Sequence, residues 1–259
     1  MPNIIACYKW VLDEQDIKIN PVNLALDMSR AKYKISEYDR NGIEEATLQA
    51  AKCGATVASL TFGTSVAKQS LKDALSRGPE KAYWVNDAVA ETADGFVTSK
   101  VLAGALQKIG GYDIILFGEG AADTYGQQVG PRVATILGIP AITFVTEMSI
   151  EGNKVTAVRK IGDCTEVVTA DFPVVITLLP EINKPRIPSL KQVLGASKKP
   201  VTEWKTADLG LDAGDLVPKN RIKSMKGFVM SRKNIIYNEG TPAEKVNRLV
   251  MSLTKEGLL

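Results

Sequence analysis

The sequence predicts an α/β fold built on a parallel sheet, extended by antiparallel edge strands and by a C-terminal arm that ends in a helix. Three observations carry this reading. Short apolar runs alternate with helical periodicities as far as Val145, and such an alternation implies parallel strands joined by right-handed crossovers. The period then shortens to β-rich runs separated by turn residues. Beyond Leu179, four prolines (Pro180, Pro185, Pro188 and Pro200) break any long regular element.

Taken in order, Asn3–Cys7 reads as a first strand buried on both faces, and Leu12–Tyr38 as a polar lobe or hairpin over the domain edge. A helix is expected from Asp39, read as its cap, with Ile43, Ala46, Thr47, Ala50 and Ala51 along one side and Gly54 as its stop. Thr56–Phe62 is the second strand, and Gly63–Ser65 opens a helix bearing Val66, Leu71, Ala74 and Leu75. Lys81–Val85 is the third strand, Thr92–Ile109 a helix rich in small residues, and Asp113–Phe117 the fourth strand. A helix over Gln127–Leu137 leads to a fifth strand at Ala141–Val145. Lys154–Ile161, Thr165–Ala170 and Val174–Leu179 are expected as antiparallel strands added at the sheet edge. Residues 200–238 read as an extended arm, and a last helix near Pro242 aligns Val246, Leu249, Val250 and Leu253. Such an arm has no core of its own and needs another surface to lie on.

Composition narrows the function. The chain of 259 residues has 32 basic and 29 acidic side chains, dispersed and without interleaved aromatics, which gives no case for nucleic acid. No stretch approaches a membrane span, and the short first apolar run, interrupted by Lys9, is not that of a signal peptide. Cys7, Cys53 and Cys164 lack metal-ligand spacing and suit a reducing cytoplasm. There are no histidines, so a Ser-His-Asp triad is impossible; no residue is assigned a catalytic role and no metal site is expected. Chemistry in such a chain is expected from a bound cofactor.

The string GEGAADTYGQQVGP, Gly118–Pro131, points to which cofactor class. It joins the end of a buried strand to the start of a helix, where backbone N–H groups are free and the helix dipole favours a phosphate. Asp123 and Thr124 suit backbone capping or a ribose hydroxyl, and Gln127, Gln128, Val129 and Gly130 present amides at the helix start. Gly63 and Gly118 taken singly need be no more than tight βα turns. The whole string holds more polar residues than turning requires, and it is neither a GxGxxG fingerprint nor a Walker loop. Lys9 reads either as a phosphate neighbour or as a surface lysine, and Trp10, Trp84 and Trp204 read as packing anchors.

The segments CYKWVLDEQDIKIN, KISEYDRNGIEEA, SLTFG, DALSRGPEKAYWV, DIILFGEGAADTYGQQVGP, LGIPA and INKPRIPSLKQVLGASKKPV, in that order, cover nearly all of the first two hundred residues. Together they resemble the beta subunit of electron transfer flavoproteins, in the branch associated with carnitine metabolism and nitrogen fixation. Two departures stand out: VLDEQD lacks the proline most relatives carry after the valine, and Gly162-Asp163-Cys164 is a weaker acidic cluster than usual. The resemblance implies a flavodoxin-like adenine-nucleotide-binding domain over residues 1–200, with a dehydrogenase recognition loop near 183–193. It implies a C-terminal arm and helix, 201–259, packed on a larger alpha subunit. It further implies a bifurcating FAD that takes hydride from NADH and divides the electrons between ferredoxin or flavodoxin and the alpha-subunit FAD, which serves an acyl-CoA dehydrogenase. The alternatives are a conventional carrier holding structural AMP and an adenine-nucleotide sensor of the stress-protein type, against which the long arm argues.

Carried onto this sequence, the resemblance implies backbone contacts to the nucleotide from Cys7, Tyr8 and Lys9, with Asp39, Phe62 and Gly63 bordering it. Asp123, Thr124, Gln127, Gln128, Val129 and Gly130 would grip ribose and phosphates. Leu190 would be the apolar plug of the recognition loop, unless it packs beneath its own arm.

Overall fold

In a computed structural model, residues 1–230 and 232–259 are described; Ser231, within the expected arm, lies outside them. Contacts divide the chain into one unit of Met1–Lys18 with Asp27–Met225 and a smaller one of Ile19–Leu26 with Lys226–Leu259.

The larger unit is a mixed α/β fold. Strand β1 (Asn3–Cys7) is central, and the short strand β2 (Trp10–Leu12) leaves it toward the lobe. Two-residue strands β3 (Lys18–Ile19) and β4 (Leu26–Asp27) pair with each other, and β5 (Tyr33–Ile35) returns antiparallel to β2, so the polar excursion after β1 is indeed a hairpin lobe. Helix α1 (Glu37–Cys53), β6 (Thr56–Gly63), α2 (Lys68–Ser76), β7 (Lys81–Asn86), α3 (Gly95–Ile109) and β8 (Ile114–Gly118) come next in strict alternation. Helix α4 (Val129–Leu137) leads to β9 (Ala141–Glu151), β10 (Lys154–Ile161), β11 (Cys164–Asp171) and β12 (Val174–Leu178). The nine-stranded sheet closes with α5 (Leu190–Ala196) and β13 (Val201–Trp204), in the order β11-β10-β9-β12-β8-β1-β6-β7-β13. Within this sheet, among the described residues, only the β9–β10 and β10–β11 pairings are antiparallel.

Side-chain alternation along β1 sorts the core into two layers. Ile4 and Ala6 face α1, where they meet Ile43 and Ala46, while Ile5 and Cys7 face α3 and α4, where they meet Val101, Leu102 and Val133. Helix α2 covers the far end of the first face, packing Leu71 and Leu75 against Trp84 of β7.

Three expectations need correction. Val174–Leu178 is not an antiparallel edge strand: it runs parallel between β8 and β9, and all five residues are buried. A run broken only by Thr177 suits a strand covered by helices on both faces. Helix α1 begins at Glu37 with Ser36 at its N-cap position, so Asp39 lies inside the first turn. The segment after Pro200 adds β13 to the sheet edge before turning irregular, with Trp204 stacked on Tyr83 of β7.

In the smaller unit, the Gly227 amide donates to the Leu24 carbonyl (2.7 Å), and helix α6 (Pro242–Lys255) starts at a capping box formed by Thr241 and Glu244. The Tyr237 hydroxyl donates to Ser252 Oγ (2.5 Å) and Lys233 pairs with Glu256 (2.6 Å), tying the preceding segment to this helix. No described helix is long and apolar enough to cross a membrane.

Candidate functional site

Helix α1 follows β1 on one side of the chain path, and α3 returns the path across β1 to β8. The strand order therefore reverses between β1 and β8, and the crevice beyond their carboxyl ends is where open α/β sheets hold ligands. The residues singled out at the exits of β1, β6 and β8 all lie along this one edge of the sheet.

Asp39 stands at the reversal. One carboxylate oxygen accepts from the Lys9 amide (2.8 Å) and the other from the Gly118 amide (3.1 Å), so a single buried side chain joins the exits of two adjacent strands. Gly118 permits this closeness: a Cβ there would lie 2.7 Å from Tyr38 Cβ and 2.8 Å from the Asp39 carboxylate. Burial pushes the Asp39 carboxyl up to about 7, against the pull of these N–H groups and of the Lys9 charge. Ser36 acts in parallel. Its Oγ accepts from the Ala122 amide (3.2 Å) instead of capping its own helix.

Lys9 reaches across the crevice, and its Nζ pairs with Asp123 at 2.5 Å. Its own amide is held by Asp39 and its carbonyl by the Ser36 amide, while the Tyr8 amide donates to Leu60. The backbone N–H groups of Tyr8 and Lys9 are thus both taken by protein acceptors. Tyr8 is buried with its hydroxyl on Ser70 Oγ (2.9 Å), and Cys7 is buried in the sheet, where desolvation raises its thiol well above the usual range. Phe62 and Gly63 end β6, half-buried, on the other side of β1.

The loop from Glu119 to Gln128 is built by local bonds. Asp123 Oδ1 accepts from the Thr124 amide (2.8 Å), and the Tyr125 amide donates to the Ala121 carbonyl (2.8 Å). Tyr125 (φ 44°) and Gln127 (φ 52°) adopt the left-handed region, sparsely used by non-glycine residues and frequent where a loop is shaped for a task. Tyr125 packs against Tyr38, with ring centroids 5.2 Å apart. Thr124, Gln127 and Gln128 are exposed. Helix α4 begins at Val129, two residues later than the sequence suggests, with no side-chain cap from Gln128. Among the described residues, the amides of 126–130 find no protein acceptor. Gly130 lets the helix start pack on β12, since a Cβ there would lie 2.6 Å from Thr177 Cγ2.

Sequence reasoning missed Ser36, Tyr38 and Glu119. Glu119 is buried and its Oε2 accepts from Gln127 Nε2 (3.2 Å), which orients that exposed amide. The pattern Ser36-Glu-Tyr-Asp39 was the available signal, because a hydroxyl followed three residues on by a carboxylate marks a helix start.

These residues fit a phosphate-bearing nucleotide. Uncapped amides at the positive end of α4 would donate to an anion, the Lys9 cation lies at the crevice, and the loop between them exposes a hydroxyl and two carboxamides. A model of the electron transfer flavoprotein domain matches residues 23–209, which take in α1, the glycine-rich loop and most of the sheet but not β1 or Lys9. The chain belongs to the electron transfer flavoprotein domain family.

Proposed function

We propose that this chain is the beta subunit of an electron transfer flavoprotein, acting in the cytoplasm as a heterodimer with an alpha subunit. Its crevice holds an FAD that takes hydride from NADH and sends one electron to ferredoxin or flavodoxin. The other passes through the alpha-subunit FAD to an acyl-CoA dehydrogenase. The observation that carries the nucleotide reading is the Asp39 bridge between the exits of β1 and β8, set against the uncapped start of α4.

A bound flavin supplies the hydride acceptance and single-electron release; the chain supplies placement. The amides of 126–130 take the phosphates at the helix start. Thr124 and Gln127 turn polar groups toward the ribose, with Gln127 oriented by Glu119. Lys9 and Asp123 close the crevice wall, and Phe62 and Gly63 border the far side. Residues 183–193 form the recognition loop for the dehydrogenase, with Leu190 exposed at the start of α5. Residues 1–200 then serve as the nucleotide-binding domain, joined at the sheet edge by β13, and the rest of the segment 201–259 packs on the alpha subunit through the exposed Val246, Leu249 and Val250 of α6.

Denaturing the purified heterodimer and quantifying the released nucleotide tests this. Two FAD per heterodimer without AMP is the expected result. One FAD with one AMP would assign the crevice to structural AMP and make the chain a conventional carrier subunit.

A further inference from the structure

Helix α1 carries further buried polar side chains, three of which bond to one distant segment. Asn41, Glu44 and Glu45 lie within two turns of Asp39 and are buried. A buried carboxylate without a partner is strongly disfavoured. Glu44 accepts from Arg186 Nε (2.8 and 2.9 Å), from Arg186 Nη2 (2.6 Å) and from the Arg186 amide (3.3 Å). Asn41 Nδ2 donates to the carbonyls of Pro180 (3.1 Å) and Asn183 (2.8 Å). Asn183 Nδ2 answers by donating to the Asn41 carbonyl (3.1 Å) and to Glu45 (3.0 Å). Residues 180–186 are thus fastened to α1 by a polar network that runs on through Glu45 to Gln49 Nε2 (2.7 Å).

Immediately beyond this network the chain turns apolar and exposed. Ile187 is 93% exposed, Leu190 74% and Leu194 61%. Leu190 and Leu194 are four residues apart and share one side of α5. The opposite side is anchored, since Ala196 is buried against α2 and Ser189 closes a capping box with Gln192. An exposed apolar group contributes most to recognition when its backbone is held before the partner arrives.

Resting on the reading of 183–193 as the recognition loop, we propose that Glu44 and Arg186 are positioning residues for docking: their bidentate pair fixes the orientation in which Ile187, Leu190 and Leu194 meet the partner flavoenzyme. Neither residue touches the nucleotide crevice. Yet both act through α1, whose first turn holds the exits of β1 and β8, so docking segment and crevice are referenced to one rigid helix. An Arg–carboxylate fork sets direction as well as distance, which a lysine cannot reproduce.

The test uses the heterodimer reduced in the presence of a purified short-chain acyl-CoA dehydrogenase, with hydrogen exchange of residues 183–196 followed in parallel. Arg186→Gln and Glu44→Gln are each expected to raise KM for the dehydrogenase by about tenfold with kcat and bound nucleotide unchanged, the signature of lost binding alone. Arg186→Lys should fall between, and the double variant should be no worse than either single, as for two halves of one contact. Exchange in 187–196 should quicken in both Gln variants while β1 and β8 stay protected. Leu190→Ala serves as the control for the loop itself. If Leu190→Ala raises KM and the Arg186 and Glu44 variants do not, the positioning role is overturned and the docking loop stands. If Leu190→Ala leaves KM unchanged, the loop reading fails and the proposal with it, whatever the exchange shows.

Discussion

Ser36-Glu-Tyr-Asp39 and Thr241-Pro-Ala-Glu244 both set a hydroxyl three residues ahead of a carboxylate at a helix start, yet only the second closes a capping box. At α6 the Thr241 Oγ1 accepts from the Glu244 amide (3.4 Å) and the Glu244 carboxylate accepts from the Thr241 amide (2.7 Å). At α1 the same two positions are turned away from the helix, Ser36 to Ala122 and Asp39 to Lys9 and Gly118. Helix α1 can forgo its cap because its apolar side is locked in the core by Ile43 and Ala46. Helix α6 has no buried residue, so local signals must hold it. A capping motif whose side chains leave their own helix marks a place where loop amides need an acceptor more than the helix does.

The comparison can be broken most sharply at Asp39. Its carboxyl is raised from 3.8 to about 7 by burial, so the stability it contributes is fully present below the unfolded value and is lost as the pH rises through about 7. Denaturant unfolding of wild type and Asp39→Asn across this range should show wild type losing ground to the variant by a few kcal/mol, at about 1.4 kcal/mol per pKa unit. Parallel profiles would mean that the carboxyl is not desolvated and that the bridge is looser than described. A smaller effect is expected at the other helix. Thr241→Ala should destabilise α6 by about 1 kcal/mol, read as faster amide exchange over residues 244–255 with nucleotide content unchanged. Unaltered exchange would show that α6 does not depend on its own cap.

Much of the fold was legible because periodicity reports burial. The alternation of strands and helices from Asn3 to Val145 and the glycine-rich loop after Phe117 both arise from local pattern. Spatial order was not legible. Val174–Leu178 comes after two antiparallel edge strands in the chain, and only its nearly unbroken apolar run hinted that it inserts beside β8. The crevice was half legible. Asp39 was singled out by resemblance and as a helix cap, but its role depends on strand exits that meet only when β8 lies beside β1. The Glu44–Arg186 pair spans 142 residues, and no local pattern announces such a contact.

The claim at the centre of this account is that the first turn of α1 holds the nucleotide crevice in shape. Equilibrium binding of FAD and of AMP to the nucleotide-stripped heterodimer, wild type against Asp39→Ala, tests it most directly. Removing an acceptor that serves two strand exits should weaken both ligands by at least about tenfold, as each buried donor left without its partner costs about 1–3 kcal/mol. Unchanged affinity for both would contradict the account, leaving Asp39 as a residue of the core and not of the site.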